Sequence, residues 1–120
     1  MEDKRPKTIF CDLDGTLVKH NGDLIKQLKE QLVLLEGTLD KFKEWEKLGY
    51  KIIITTGRKE SMRKRTIEQL EEVGIFYDEL ITNLGGGTRI LINDRKANSD
   101  EDTAIAINLT RNEGIKNIHL

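Results

Sequence analysis

Two carboxylates two residues apart, Asp12 and Asp14, stand directly behind the apolar run Thr8-Ile9-Phe10-Cys11 and are followed by Gly15-Thr16. A short apolar run ending in a turn residue predicts a buried strand, so both acids fall where a strand ends. With ordinary residue frequencies the fixed letters of Asp-x-Asp-Gly-Thr arise by chance in roughly one chain in a thousand of this length. The spacing suits phosphoryl chemistry. One carboxylate attacks phosphorus as nucleophile, and its neighbour shuttles the proton of the leaving group or of the attacking water. The plainer alternative is a strand-end acid capping a loop, with Asp14 bonding its own backbone in the turn. Gly15 permits the tight exit from the strand.

Two more apolar runs end in the same manner. Tyr50 to Thr55 leads into Thr56-Gly57-Arg58, and Ile90-Leu91-Ile92 leads into Asn93-Asp94-Arg95. In type and order these three endings resemble the first, second and fourth motifs of the haloacid dehalogenase (HAD) superfamily of phosphohydrolases. The match spans Thr8 to about Lys96. Within the superfamily the Thr-Gly-Arg and Asn-Asp-Arg endings are similar to those of polynucleotide kinase phosphatase domains and of small capsule- or sugar-associated phosphatases.

The resemblance implies roles for individual residues. Asp12 is the nucleophile, forming an aspartyl phosphate, and Asp14 is the general acid and then base. Mg²⁺ is the implied cofactor, a hard cation that takes oxygen ligands, held by Asp12, the backbone carbonyl of Asp14, and Asp94. Asn93 stands where the family often has a second acid, which lowers the negative charge there. Thr56 donates its hydroxyl to a phosphate oxygen and Gly57 lets the backbone come close. Arg58 forks onto the phosphate or onto Asp94, or serves equally well in a structural ion pair. The family's third motif, a lysine, has no clear counterpart before the fourth. Lys96, Arg89 and Arg58 are the candidates, with Lys96 preferred because it lies just beyond Asp94.

These residues need a scaffold that alternates strands and helices. Lys7–Asp12, Tyr50–Thr55, Glu79–Thr82 and Thr88–Asn93 read as strands one to four. Leu24, Ile25, Leu28, Leu32 and Leu35 recur at helical spacing through Asp23–Glu36, and Leu39, Phe42, Trp45 and Leu48 continue to a stop at Gly49. Gly37-Thr38 breaks the two or caps the second. Ser61 reads as the cap of a third helix carrying Met62, Ile67, Leu70 and Val73 inward to Gly74. Ala104–Leu109 fits a fifth strand or a short helix, and Ile115–Leu120 an edge strand. Such alternation predicts an α/β fold with a central parallel sheet and its motifs at the carboxyl ends of strands. The resemblance sharpens this to a minimal HAD-like Rossmannoid three-layer sandwich, strand order 5-4-1-2-3, with no cap domain.

At 120 residues the chain is expected to form one domain. Charged residues make up 34% and hydrophobic ones 37%, a globular rather than a disordered or membrane balance. The amino terminus has no apolar signal region, so cytoplasmic residence is the expectation. A single cysteine, Cys11, forbids an internal disulfide, and a net charge of -1 gives no global pull toward nucleic acid or acidic membranes. Arg63-Lys64-Arg65 fits either a polyanion grip or the solvated face of a helix; His20 fits a surface residue better than a substrate contact; and Gly85–Gly87, lacking the following Lys-Ser or Lys-Thr of a nucleotide loop, fits a rim to the site. The expected function is hydrolysis of a small phosphorylated metabolite such as a sugar phosphate, with a polynucleotide 3'-phosphatase and a non-catalytic phosphate- or metal-binding module as alternatives. A homo-oligomer is one way to cover the uncapped site.

Overall fold

The computed structural model describes residues 4–120. The chain runs β1 (Thr8–Asp12), α1 (Leu24–Lys29), α2 (Thr38–Lys47), β2 (Lys51–Thr55), a 3-10 turn (Glu60–Met62), α3 (Arg63–Glu72) and β3 (Glu79–Ile81). The strands form one parallel sheet in the order β1-β2-β3. Thr8 pairs with Lys51 and Asp12 with Thr55, so β1 and β2 end level. That register sets Leu13-Asp14 beside Thr56-Gly57-Arg58, which is the α/β placement expected of ligand-binding loops.

Alternation along the strands sends Cys11, Ile52, Ile54 and Leu80 into a core completed by Leu13, Leu17, Phe42, Trp45, Leu70 and Ile75. Phe42 anchors it, with ring centroids 5.6 Å from Trp45 and 6.0 Å from Phe76. Gly37 begins α2 with φ of 89°, and Gly49 and Gly74, both at positive φ, follow α2 and α3.

Several sequence expectations are corrected. The helix expected over Asp23–Glu36 stops at Lys29, because Lys19 N–H donates to Val33 O (2.8 Å) and Leu35 N–H to Leu17 O (3.0 Å), pulling residues 33–35 into extended pairing with residues 17–19. Tertiary pairing overrides helical spacing there. Ser61 caps nothing: α3 starts after Met62 with no side-chain cap. Glu60 instead accepts from Arg63 and Thr82. Strand four, Thr88–Asn93, does not form, nor does a fifth element over Ala104–Leu109 or an edge strand over Ile115–Leu120. Among the described residues the order 5-4-1-2-3 is therefore represented by its 1-2-3 part, with β1 at an edge.

Ile115 is buried and its N–H donates to Glu36 O (3.0 Å). The chain closes there on glycine: a Cβ on Gly37 would lie 2.4 Å from the Lys116 Cα. Gly37→Ala therefore combines a left-handed backbone penalty with an overlap that backbone cannot relieve. Gly22→Ala, at φ of 82° with nothing within 4 Å, carries the backbone penalty alone. Urea unfolding is expected to show Gly37→Ala less stable than Gly22→Ala by about 1–3 kcal/mol, and equal stabilities would mean that the carboxyl-terminal segment is not docked there.

Candidate active site

The two strand-end loops meet through Arg58 and Asp14. Arg58 Nε donates to Asp14 Oδ2 and Arg58 Nη2 to Asp14 Oδ1, both at 2.8 Å, a fork matched to a carboxylate. The Arg58 side chain is 1% exposed and that of Asp14 16%. Arg58 Nη1 donates in turn to Thr66 Oγ1 (3.0 Å) and Gln69 Oε1 (2.7 Å) on α3. Gln69 Nε2 donates to the carbonyls of Gln27 (2.7 Å) and Glu30 (2.8 Å) at the end of α1. The circuit closes when Gln27 Nε2 donates to Asp14 Oδ1 (2.8 Å) and Lys19 O (2.9 Å). Asp14 Oδ1 thus takes two of these donors and Oδ2 one. Gln27 Oε1 is buried without a hydrogen-bond partner among the described residues.

Asp12 lies outside that circuit. Thr16 Oγ1 donates to Asp12 Oδ2 (3.3 Å), and the residue as a whole is exposed. Packing around the carboxyl still raises its pKa above the ordinary carboxylate value: desolvation is the main cause and Asp14 adds to it, opposed by the Leu13 N–H, the Arg89 guanidinium and Thr16. Burial, aided by Asp12, pushes the Cys11 thiol up to about 12, so this thiol is no rival nucleophile. Thr56 is buried and its Oγ1 accepts from Arg58 N–H (3.1 Å). Gly57 passes so close to Gly85 that a Cβ would stand 3.0 Å from the Gly85 carbonyl.

Of the residues singled out by sequence, Asp12, Asp14, Thr56, Gly57 and Arg58 come together at the carboxyl ends of β1 and β2. Arg89 reaches them by charge, since it acts on Asp12. Among the described residues no group of three or more His, Cys, Asp or Glu side chains could hold a metal. Asp94 and Lys96 lie on an exposed segment. The Asp12 carboxylate and the Asp14 carbonyl are hard oxygen donors of the kind Mg²⁺ takes. They supply two of the three ligands expected from sequence.

Of the features with two readings, Arg63 and Arg65 are committed structurally. Arg63 binds Glu60, the Leu80 carbonyl and Thr82, while Arg65 binds the Leu28 carbonyl and Glu72. His20 accepts from Gly22 N–H and exchanges backbone hydrogen bonds with the Asn112 side chain. Gln27, Thr66 and Gln69 were not singled out from sequence. Their signal was polarity at inward helical positions, Thr66 and Gln69 alongside Leu70.

Residues 9–101 match the sequence profile of the haloacid dehalogenase-like hydrolases. The chain belongs to that family. A chain of the Pnkp1/Rnl/Hen1 complex is 33% identical over 71% of this HAD-like hydrolase, with a TM-score of 0.58. A chain of the Pnkp1/Rnl/Hen1 RNA repair complex is 28% identical over 83% of it, with a TM-score of 0.56. The matches cover only 30% and 29% of those longer chains. A structural-genomics target from Vibrio cholerae, 23% identical, shares the fold over 76% of this chain and 82% of its own, with a TM-score of 0.53. No curated protein matches the chain.

Two outcomes test the site's physics. Arg58→Ala leaves the Asp14 charge without its partner, so chemical denaturation should show a loss of about 3 kcal/mol; Arg58→Lys, which cannot fork, should recover less than half of it. A loss below about 1 kcal/mol would put the pair among exposed ones. Asp12 has a folded pKa above its unfolded one, so the stability it contributes is present at low pH and lost as pH rises through the folded value. Asp12→Asn should therefore melt higher than wild type at pH 7, with the gain shrinking as pH falls below the carboxylate range.

Proposed function

We propose that this HAD-like hydrolase is a Mg²⁺-dependent phosphomonoesterase working through an aspartyl phosphate. The carrying observation is the level register of β1 and β2, which sets the Asp12 nucleophile beside the Thr56-Gly57-Arg58 loop, with Asp14 held by the Arg58 fork. An Asp12 oxygen attacks phosphorus, the bond from phosphorus to the ester oxygen breaks, and the departing oxygen takes a proton from Asp14. Asp14 then removes a proton from water, whose oxygen attacks phosphorus, releasing inorganic phosphate and the free Asp12 carboxylate. Arg58 fixes the Asp14 carboxyl for both transfers. The Thr56 hydroxyl and the backbone of Gly57 are suited to the phosphate oxygens. Asp12, the Asp14 carbonyl and Asp94 would hold Mg²⁺, which would supply charge neutralisation for the transfer. Lys96, just beyond Asp94, takes the third-motif place, and Arg89, whose charge acts on Asp12, is the alternative.

The substrate read here is a small phosphorylated metabolite such as a sugar phosphate. Net charge of -1 gives no electrostatic footprint for nucleic acid, and Arg63 and Arg65 are engaged within the fold. A polynucleotide 3'-phosphatase is the second reading, favoured by the likeness to chains of an RNA repair complex. A panel of phosphorylated metabolites run beside a 3'-phosphorylated oligonucleotide separates the two, and the first reading predicts that the oligonucleotide has the lower kcat/KM. Turnover should require Mg²⁺ and fall with Ca²⁺, which takes more ligands and spoils in-line attack. Asp12→Asn should retain below about 1% of the wild-type rate, and Lys96→Ala should slow single-turnover phosphorylation more than Arg89→Ala. A rate for Asp12→Asn near wild type would remove Asp12 as nucleophile.

A further inference from the structure

The short helix α1 buries an amide and exposes apolar side chains. Its one buried residue is Gln27, 6% exposed, whereas Leu24 is 40% and Ile25 67% exposed. A surface helix ordinarily does the reverse, turning its apolar side inward and leaving its amides to water. Six residues are too few to hold a helix by themselves, so α1 lies where its tertiary bonds put it. Asp23 Oδ1 caps it by accepting from Ile25 N–H (3.0 Å) and Lys26 N–H (3.3 Å). From α3, Gln69 Nε2 donates to the Gln27 carbonyl and Arg65 Nε to the Leu28 carbonyl, both at 2.7 Å. These bonds fix α1 with Gln27 inward. A conflict of this kind between local pattern and fold is expected where function imposes it.

The Gln27 amide is committed to two oxygens. Nε2 donates to Asp14 Oδ1 (2.8 Å) and to Lys19 O (2.9 Å). A carboxylate and a backbone carbonyl only accept, so the NH₂ side of the amide must face them and its orientation is fixed. The consequence falls on the other side, where Oε1 is buried with no hydrogen-bond partner among the described residues. An unmade hydrogen bond in the interior is destabilising, and a methionine would fill the same space without it. What methionine lacks is an N–H for Asp14. Arg58 already gives that carboxylate two N–H bonds and a positive charge. Gln27 adds a third donor from a different element, which restricts the carboxyl further, and it adds no second charge beside a group that must both give and take a proton.

We infer that Gln27 is a positioning residue for proton transfer, acting through Asp14 Oδ1 to keep the Asp14 carboxyl oriented for the proton it gives to the departing oxygen. The role in catalysis rests on the phosphatase reading; the hold on Asp14 does not. As the bond from phosphorus to the ester oxygen breaks, an alkyl or sugar oxygen is too basic to leave as an anion and depends on the Asp14 proton. A dinitrophenyl oxygen leaves as the anion and does not. Gln27 therefore bears on which esters are turned over, being needed for unactivated alcohols and dispensable for activated phenols. The value of kcat/KM extends only through departure of the alcohol, so later hydrolysis of the aspartyl phosphate does not enter the comparison.

Gln27→Met keeps the length of the side chain and removes the donor. In the full chain at saturating Mg²⁺, its kcat/KM for an alkyl phosphate should fall about tenfold or more below wild type, while that for dinitrophenyl phosphate stays within about twofold. Across a series of aryl phosphates the loss should grow with the basicity of the leaving oxygen. Gln27→Asn, one methylene too short for Asp14, should show the same split and serves if the methionine variant folds poorly. A smaller folded fraction lowers both esters alike, so equal losses, or no loss on the alkyl ester, overturn the positioning role. Nuclear magnetic resonance reads the contact without turnover: the side-chain amide protons of Gln27 should exchange with solvent more slowly than those of the exposed Gln31. Equal exchange overturns the hold on Asp14. A wild type inactive on both esters, with the Gln27 amide protected, sinks the phosphatase reading and leaves Gln27 as the holder of the Asp14 carboxyl.

Discussion

The buried fork between Arg58 and Asp14 is the constraint on which the rest of the site depends. A guanidinium at 1% exposure is stable only with its N–H groups satisfied, and each partner it uses belongs to a different part of the chain. Asp14 comes from the loop after β1, and Thr66 and Gln69 from α3. Gln69 passes the connection to α1, and Gln27 returns it to Asp14. Removing one member leaves another buried and unpaired, so the network holds the loop after β1, α1 and α3 in a single arrangement. Such a pair adds little net stability against an apolar replacement. What it contributes is position: Asp14 is fixed, while Asp12 two residues earlier is left outside the network.

That division suits the two acids to different work. Asp14, fixed by three N–H donors, has the defined orientation a proton shuttle needs. Asp12 has the hydroxyl of Thr16 and the distant charge of Arg89, and is partly desolvated. A carboxylate under those conditions is poorly stabilised as an anion and gains from a cation or an electrophilic phosphorus. The parallel register makes the pairing work, because a shift of one residue between β1 and β2 would turn Asp12 to the opposite face from its present neighbours.

Much of this arrangement was legible in the sequence. The three strands that form were read from short apolar runs, and the residues at the ends of the first two were read as a site because strand ends in parallel α/β sheets converge. Asp12, Asp14, Thr56, Gly57 and Arg58 do converge. The helix expected through Asp23–Glu36 was read from leucine spacing, but leucines at three- and four-residue steps also fit an extended segment once Val18 and Leu34 pair. Thr88–Asn93 carries the local preference of a strand. A strand, however, needs a neighbour's hydrogen bonds, and no local pattern guarantees one.

By itself, then, the sequence determined what depends on nearby residues: three strand runs, glycine stops after two helices, two acids at a strand end, and the family to which they belong. Tertiary structure alone decided what depends on distant ones. Arg58 had equal claims to a phosphate, to Asp94 and to an ion pair, and its choice of Asp14 required β1 and β2 to end level. Gln27 and Gln69 look like ordinary helix-surface residues until the fold encloses them around the guanidinium. Asp94 carries a family motif, yet the apolar run that leads to it forms no strand, because a strand needs a neighbour that the local sequence does not supply. The physical reason is the same in each case: a side chain's chemistry is local, while the partner that satisfies it is brought near only when the chain folds.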